Sequence, residues 1–345
     1  MIKRHRCLLG IVGVLAGIQV FFATGAAASV PVDLRVVSSD TGNIADVRVY
    51  VPPTTTVKTT NGPDCFNPAK QSSGQSYMQS KPTMLGAIWE ASQVEPSLQP
   101  LQISDADYAS FGALGVCQIN AASPPGYFFL KANHQALQVG ADLFNIQAGD
   151  QLLAYRTPAD FSADEELDLT APARTAPGVP VPVNVRGYAS TVAPHLGASV
   201  VGADVPVQTD ADGNATVTFA APGRYQLVAT GDYNDIPSQV LSVCVDPQPE
   251  RACPAERGED ILGSDEAEGI KGTDGEDVIR PRGGDDGIKA GAGNDLIIAN
   301  GGGRDRIFCG GGKDMVVRSP KDRVAKSCEV VRTLGKKKKK GKHGK

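Results

Sequence analysis

The 345-residue chain is poor in the side chains that most often carry chemistry: 6% of it is aromatic, with one tryptophan and four histidines. No nucleophile elbow, H-E-x-x-H, P-loop or post-strand G-x-G-x-x-G occurs, so the common hydrolase, metalloprotease and nucleotide-binding signatures are absent. Zinc ligation by thiolates is disfavoured as well, because no C-x-x-C accompanies the scarce histidines. Beyond residue 28 the histidines are His134 at an expected hairpin tip, His195 in an expected loop and His343 near the end. The carboxylate pair Asp105 and Asp107 falls on an expected exposed turn and reads as solvated surface. No catalytic constellation emerges, and the chain is read as non-enzymatic. Long helical patterns are also missing: 39 glycines and 24 prolines favour turns, short strands and linkers over bundles.

Net charge is a modest −4, yet charge is segregated. Residues 29–250 hold 22 acidic and 10 basic side chains, whereas seven lysines crowd the last ten residues. The chain opens with Lys3, Arg4 and Arg6, an apolar run from Leu8 to Phe22 and small residues ending at Ala26-Ala27-Ala28. These are the three parts of a secretory signal peptide, with cleavage expected after Ala28 and an extracellular or cell-wall location for the rest. The alternative is a retained membrane anchor, for which the apolar stretch is long enough. Once Cys7 leaves with the peptide, six cysteines remain. An even number in an exported chain reads as disulfides, and consecutive pairing within separate domains predicts Cys65–Cys117, Cys244–Cys253 and Cys309–Cys328.

Alternating residues from Val32 and from Ala45 predict two strands around a polar turn. PTMLGAIWEAS places Met84, Leu85, Ile88 and Trp89 on one helical face, with Trp89 as a core residue. GYFFLKANHQ and DQLLAYR predict further strands, giving a small α+β domain over residues 29–158. From residue 159 to 246 short strands at steady spacing, with turns at Asp212-Gly213 and Pro222-Gly223, predict a β-sandwich. Asp210 and Asp212 are read as turn residues rather than calcium ligands.

Residues 126–156, with the upstream helix, resemble the DUF4430 family, which is similar to the C-terminal β-domain of transcobalamin; Asn133-His134 stands where members commonly show Asn-Gly. The resemblance implies a β-grasp-like fold and a small, corrinoid-like hydrophobic ligand, with Trp89, Tyr127, Phe128 and Phe129 as candidate contacts. The string TDADGNATVTFAAPGRYQLVA resembles bacterial Ig-like surface domains, which act mainly as spacers.

After residue 258 a single spacing dominates. An aliphatic residue follows an acidic one by two positions at Asp260/Leu262, Glu268/Ile270, Asp277/Ile279, Asp286/Ile288, Asp295/Ile297, Asp305/Ile307, Asp314/Val316 and Asp322/Val324. This nine-residue period, with Gly275, Gly284, Gly293, Gly303 and Gly312 two before their Asp, resembles the RTX, or hemolysin-type, calcium-binding repeat. Glycines supply the positive φ that tight coils need, and stacked carbonyls plus carboxylates make an all-oxygen cage suited to calcium. One to three calcium ions are expected near residues 272–298, held by Asp277, Asp286 and Asp295 and by backbone oxygens of Gly275, Gly284 and Gly293. Arg304 and Lys313 sit beside later Asp residues and are expected to oppose a cation or to pair with the Asp instead. A metal-free roll held by such pairs and by Cys309–Cys328 is the alternative.

The expected architecture is mainly β and multi-domain: a signal peptide (1–28), a β-grasp-like α+β domain (29–158), an Ig-like β-sandwich (159–246), a C-terminal parallel β-roll or solenoid (247–332) and a disordered Lys-rich tail (333–345). The leading functional expectation is a secreted or wall-associated binding and structural protein with calcium-stabilised repeats, its tail gripping anionic cell-envelope polymers. Small-ligand binding and an RTX-type toxin or secreted hydrolase are the other classes. No organic cofactor is expected, and nucleic acid is not an expected partner. N-terminal sequencing of the exported protein is predicted to begin at Ser29; a start upstream of it contradicts cleavage after Ala28.

Overall fold

The computed structural model describes residues 28–38, 42–64, 67–120, 128–156, 165–189, 192–232, 235–247 and 256–334. The alternating sequences VPVDLRVVS and GNIADVRVYV form β1 (Val30–Ser38) and β2 (Gly42–Val51). Val32, Leu34, Val36, Val47 and Val49 are buried on one face, so Asp33, Arg35, Asp46 and Arg48 turn to the other. β3 (Phe128–Ala132) and β4 (Gln151–Arg156) complete the unit: β4 lies parallel to β1 and antiparallel to β3, while β2 is antiparallel to β1. Helix α1 (Met84–Ser92) covers the apolar face, its first turn capped by Thr83, whose Oγ1 accepts from the Gly86 N–H at 3.0 Å. Met84, Leu85 and Ile88 are fully buried in the shared core, and Trp89 packs against its margin. A central parallel pair flanked by antiparallel strands under one helix is a β-grasp arrangement.

Asp105 behaves differently from the solvated residue expected of it. Its carboxylate accepts from Ser73 N (2.7 Å), Tyr77 Oη (2.8 Å), Ser72 Oγ (3.0 Å) and Thr59 Oγ1 (3.3 Å), and from Ser73 Oγ. Burial alone would raise its pKa, but these donors, Ser73 foremost, hold it at about 2. Asp107 is ion-paired with Lys70.

Between residues 165 and 246 two sheets face each other. In one, Val181–Tyr188 pairs with Glu166–Thr170 on one side and with Val192–Pro194 and Asn214–Val217 on the other. The second runs Arg174–Thr175, Leu241–Val245, Gly223–Thr230, Ser199–Val201, Val207–Gln208. Leu167, Val183, Val185, Phe219, Leu227 and Val243 fill the space between them, which makes this a β-sandwich. Asp210 Oδ1 accepts the N–H groups of Asp212 (2.9 Å) and Asn214 (2.8 Å), so the Asp-x-Asp-Gly is a turn.

The sandwich docks on the outer face of the first sheet through Glu166, which is 4% exposed. Arg35 Nη2 (2.9 Å), His134 Nδ1 (3.2 Å) and Lys131 Nζ (3.4 Å) converge on its carboxylate. Burial would raise its pKa, but the neighbouring His134 and the Arg35 and Lys131 charges bring it below the ordinary value. Asn133 and His134 both adopt positive φ, 50° and 65°, completing the tip where Asn-Gly is commoner. The reason for a histidine there is its second contact: its ring stacks on Tyr188 with centroids 4.0 Å apart.

After residue 255 the chain winds into a two-sided parallel roll. Strands β5 (Glu256–Leu262), β7 (Gly275–Arg280), β9 (Leu296–Ala299), β11 (Met315–Arg318) and β13 (Val330–Thr333) stack on one side, and β6 (Gly269–Lys271), β8 (Gly287–Ala292), β10 (Arg306–Gly311) and β12 (Arg323–Val324) on the other. Ile261, Ile270, Ile279, Ile288, Ile297, Ile307 and Val316 form the ladder between them. The first unit is shifted by one residue from the expected Asp260/Leu262: Ile261 stands in register with Ile279, and Glu259 takes the acidic position, nine residues before Glu268. Ile261 therefore points into the roll, and Leu262 enters the β-grasp core.

That shift joins two units. β5 pairs parallel with β2 (Arg48 with Ile261, Val49 with Leu262), so one ten-stranded sheet runs from the β-grasp unit to the far end of the roll. Tyr50 joins the roll's core, Arg48 Nη1 meets Glu259 at 2.7 Å, Ser29 Oγ lies 3.1 Å from Ser264 Oγ, and Arg282, at φ 68°, pairs with Glu90 of α1. At the other end Cys309–Cys328 is closed, with Cα atoms 5.2 Å apart. Cys117 and Cys244 are disulfide-bonded; Cys65 and Cys253 lie outside the described residues. Leu262→Ala is expected to destabilise the full chain by roughly 2–5 kcal/mol in chemical denaturation, the range for a fully buried leucine; a loss near zero contradicts the inter-unit core.

Candidate metal centre: stacked carboxylates in the C-terminal coils

The roll positions its acidic residues in two internal rows. Each coil ends in a glycine-rich turn after which the Asp N–H and side chain both point inward, so a carboxylate one coil on reaches the backbone N–H of the coil before. In one row Glu259 N donates to Asp277 Oδ1 (2.6 Å), Asp277 N to Asp295 Oδ1 (2.9 Å), Asp295 N to Asp314 Oδ1 (3.0 Å) and Asp314 N to Glu329 Oε2 (2.8 Å). In the other, Glu268 N donates to Asp286 Oδ1 (2.9 Å), Asp286 N to Asp305 Oδ1 (3.0 Å) and Asp305 N to Asp322 Oδ1 (3.2 Å). All six Asp residues are at most 5% exposed.

Turn geometry explains the glycines. Gly284 and Gly293 take φ of 98° and 117°, and a Cβ on Gly303 or Gly312 would stand 1.5 or 1.7 Å from a carbonyl oxygen of the preceding coil. Gly275, expected to share this role, instead opens β7, and its N–H donates to Thr273 Oγ1 at 3.0 Å.

The rows are not chemically uniform. Asp277 also accepts from Thr273 N (2.7 Å) and Thr273 Oγ1 (2.9 Å), and Asp322 from Ser319 N (2.8 Å) and Ser319 Oγ (3.0 Å). Between them, the Oδ2 atoms of Asp286, Asp295, Asp305 and Asp314 are buried without any hydrogen-bond partner. Burial, reinforced by neighbouring carboxylates, raises Asp286 and Asp295 to about 7 and Asp305 to about 6 despite the backbone donors, and raises Asp314 as well.

Of the expected ligands, then, Asp286 and Asp295 keep a spare oxygen and Asp277 does not. Asp305 and Asp314 keep one too, although their cationic neighbours were expected to oppose a cation there. The guanidinium of Arg304 turns outward to Asp285, 3.2 Å away, and leaves Asp305 unpaired with it, while the Lys313 backbone N–H donates to Asn294. A signal for this division exists in the sequence: a hydroxyl residue stands four or three positions before Asp277 and Asp322, whereas glycine stands four before Asp295, Asp305 and Asp314.

The donor chemistry, one orphaned carboxylate oxygen per half-coil, fits a hard cation. Among the described residues no three His, Cys, Asp or Glu side chains converge as a metal group; a cation here would draw most of its ligands from the backbone.

The candidate ligand contacts are dispersed. Trp89 and Phe128 pack against the β-grasp core, whereas Phe129 is 42% exposed on the opposite face of β3; Tyr127 lies outside the described residues. None of the three lines the cleft of about 850 Å³ between the units, whose walls include Asp33, Arg35, Asp46, Arg48, Glu166, Asp168 and Glu259. Among the described residues no helix is long and apolar enough to cross a membrane. Compared with known protein families, curated proteins and solved structures, the chain matches none.

With folded-state pKa values near 7 against an ordinary value near 4, the buried Asp residues favour folding fully below about pH 4, and that contribution is lost as pH rises through 7. In chelator, the thermal midpoint of the roll is expected to fall between about pH 5 and pH 8. A midpoint that rises over this interval contradicts the buried, partnerless carboxylates.

Proposed function

We propose that the chain is an exported, non-enzymatic binding and structural protein whose C-terminal roll is stabilised by calcium. The observation that carries this reading is the set of buried Oδ2 atoms on Asp286, Asp295, Asp305 and Asp314. Leaving a buried acceptor unsatisfied costs about 1–3 kcal/mol, and more when it is ionised. A divalent cation would supply the missing partner and neutralise the like-charge repulsion along each row. In this reading the calcium positions extend beyond residue 298 to Asp305 and Asp314, while Asp277 contributes to the scaffold.

Export is supported by the basic, apolar and small-residue parts of the first 28 residues, and calcium at extracellular concentration would keep the roll loaded. The β-grasp unit and the sandwich then act as a rigid stem. The Lys-rich tail, which lies outside the described residues, would hold anionic cell-envelope polymers by charge.

Thermal melting of the full secreted chain in calcium and in EGTA tests this. Calcium at 100 times its dissociation constant is expected to add about 2.7 kcal/mol of stability by mass action, and Asp295→Asn with Asp305→Asn should remove most of that gain. An unchanged melting temperature overturns the calcium reading and leaves a metal-free roll.

A further inference from the structure

The outward face of the second roll sheet carries a regular row of cations. We propose that this face, built by β6, β8, β10 and β12, binds a linear acidic polysaccharide. Parallel, in-register pairing sets the columns: Gly269, Gly287, Arg306 and Arg323 align in one, and Lys271, Lys289 and Phe308 in the next. The residues between the columns, Ile270, Ile288 and Ile307, point into the core, so both columns point outward. Lys271, Lys289, Arg306 and Arg323 are all exposed, and Phe308 is 53% exposed. Successive strands lie about 4.8 Å apart, so one positive charge follows another at about that step along the axis of the roll.

These cations are uncommitted. None of the four forms an ion pair among the described residues. Most acidic groups of the same coils are engaged elsewhere: the two rows of Asp face the interior, Asp285 holds Arg304 at 3.2 Å and Asp265 holds Arg282 at 3.3 Å. The exposed acidic residues Asp265, Glu266, Asp274, Glu276 and Asp285 lie outside β6, β8, β10 and β12, so this sheet presents cations with no carboxylate on its strands.

The geometry selects the class of partner. Charges repeating along one axis favour a polyanion whose own charges recur along its length, rather than a compact anion. A flat sheet suits an extended chain lying on it. The Phe308 ring continues the lysine column and offers an apolar plane to the C–H face of a sugar ring. The inference deepens the envelope-polymer part of the proposed function, taking from it only the export that brings the chain to such polymers. It is independent of the tail.

The test is binding of chondroitin sulfate to the full chain and to a chain ending at residue 334, by calorimetry in calcium at low salt. The shortened chain is expected to retain binding. Lys271→Glu with Lys289→Glu and Arg306→Glu should weaken it at least tenfold and flatten its salt dependence, with Lys→Gln and Arg→Gln variants used if the reversal lowers the melting temperature. Phe308→Ala should weaken it severalfold with the salt dependence unchanged. Loss of all binding on shortening, indifference to the reversal, or tighter binding of a single-stranded oligonucleotide than of the glycan overturns the proposal.

Discussion

Each coil of the roll must bury a carboxylate, and the backbone of the neighbouring coil satisfies only one of its two oxygens. The N–H of the equivalent residue one coil earlier takes Oδ1, which fixes the register of the stack as firmly as the isoleucine ladder does. Only at Asp277 and Asp322 does a local residue take the second oxygen, through the backbone N–H of Thr273 and of Ser319. In the four positions between, the same geometry that builds the coil leaves Oδ2 without a partner. Structure and candidate function are thus one constraint: the residue that holds adjacent coils together is also the residue with capacity to spare.

A one-residue-wide ladder of isoleucines is too thin to define an end for itself, and the fold supplies both ends. The β-grasp sheet offers the edge of β2 as a template for β5, which removes an exposed edge that would otherwise invite pairing with another chain. Tyr50 enters the roll and Leu262 leaves it, so the two cores are stitched by residues adjacent in space but more than two hundred positions apart. Across the sheet, Glu166 gathers Arg35, Lys131 and His134 and locks the sandwich against them. The far end closes with Cys309–Cys328.

Much of the architecture was legible because it rests on local periodicity: alternation in VDLRVVS, the helical face of PTMLGAIWEAS, and the nine-residue period with glycine two before five of its Asp residues. Features that depend on pairing between distant segments were not. The pairing of β2 with β5 joins segments some two hundred positions apart, whereas the inward Ile261 was readable by counting nine back from Ile270, with Glu259 rather than Asp260 as the acidic member. Asp105 looked like turn surface because its donors come from hairpins some thirty positions earlier. His134 read only as a hairpin-tip residue because Tyr188 and Glu166, its contacts, belong to another unit. Within the carboxylate rows the repeat located every Asp, but it could not show that Arg304 turns outward to Asp285. A hydroxyl residue four or three positions upstream, Thr273 or Ser319, accompanies the satisfied carboxylates and is missing before the four unsatisfied ones.

The most direct test of the central claim is anomalous diffraction from crystals of the full chain grown in calcium. The account predicts ordered anomalous peaks within about 2.3–2.6 Å of Oδ2 of Asp286, Asp295, Asp305 or Asp314, and none beside Asp277 or Asp322. Crystals in which those four oxygens face only water or one another, with no peak along either row, would contradict it.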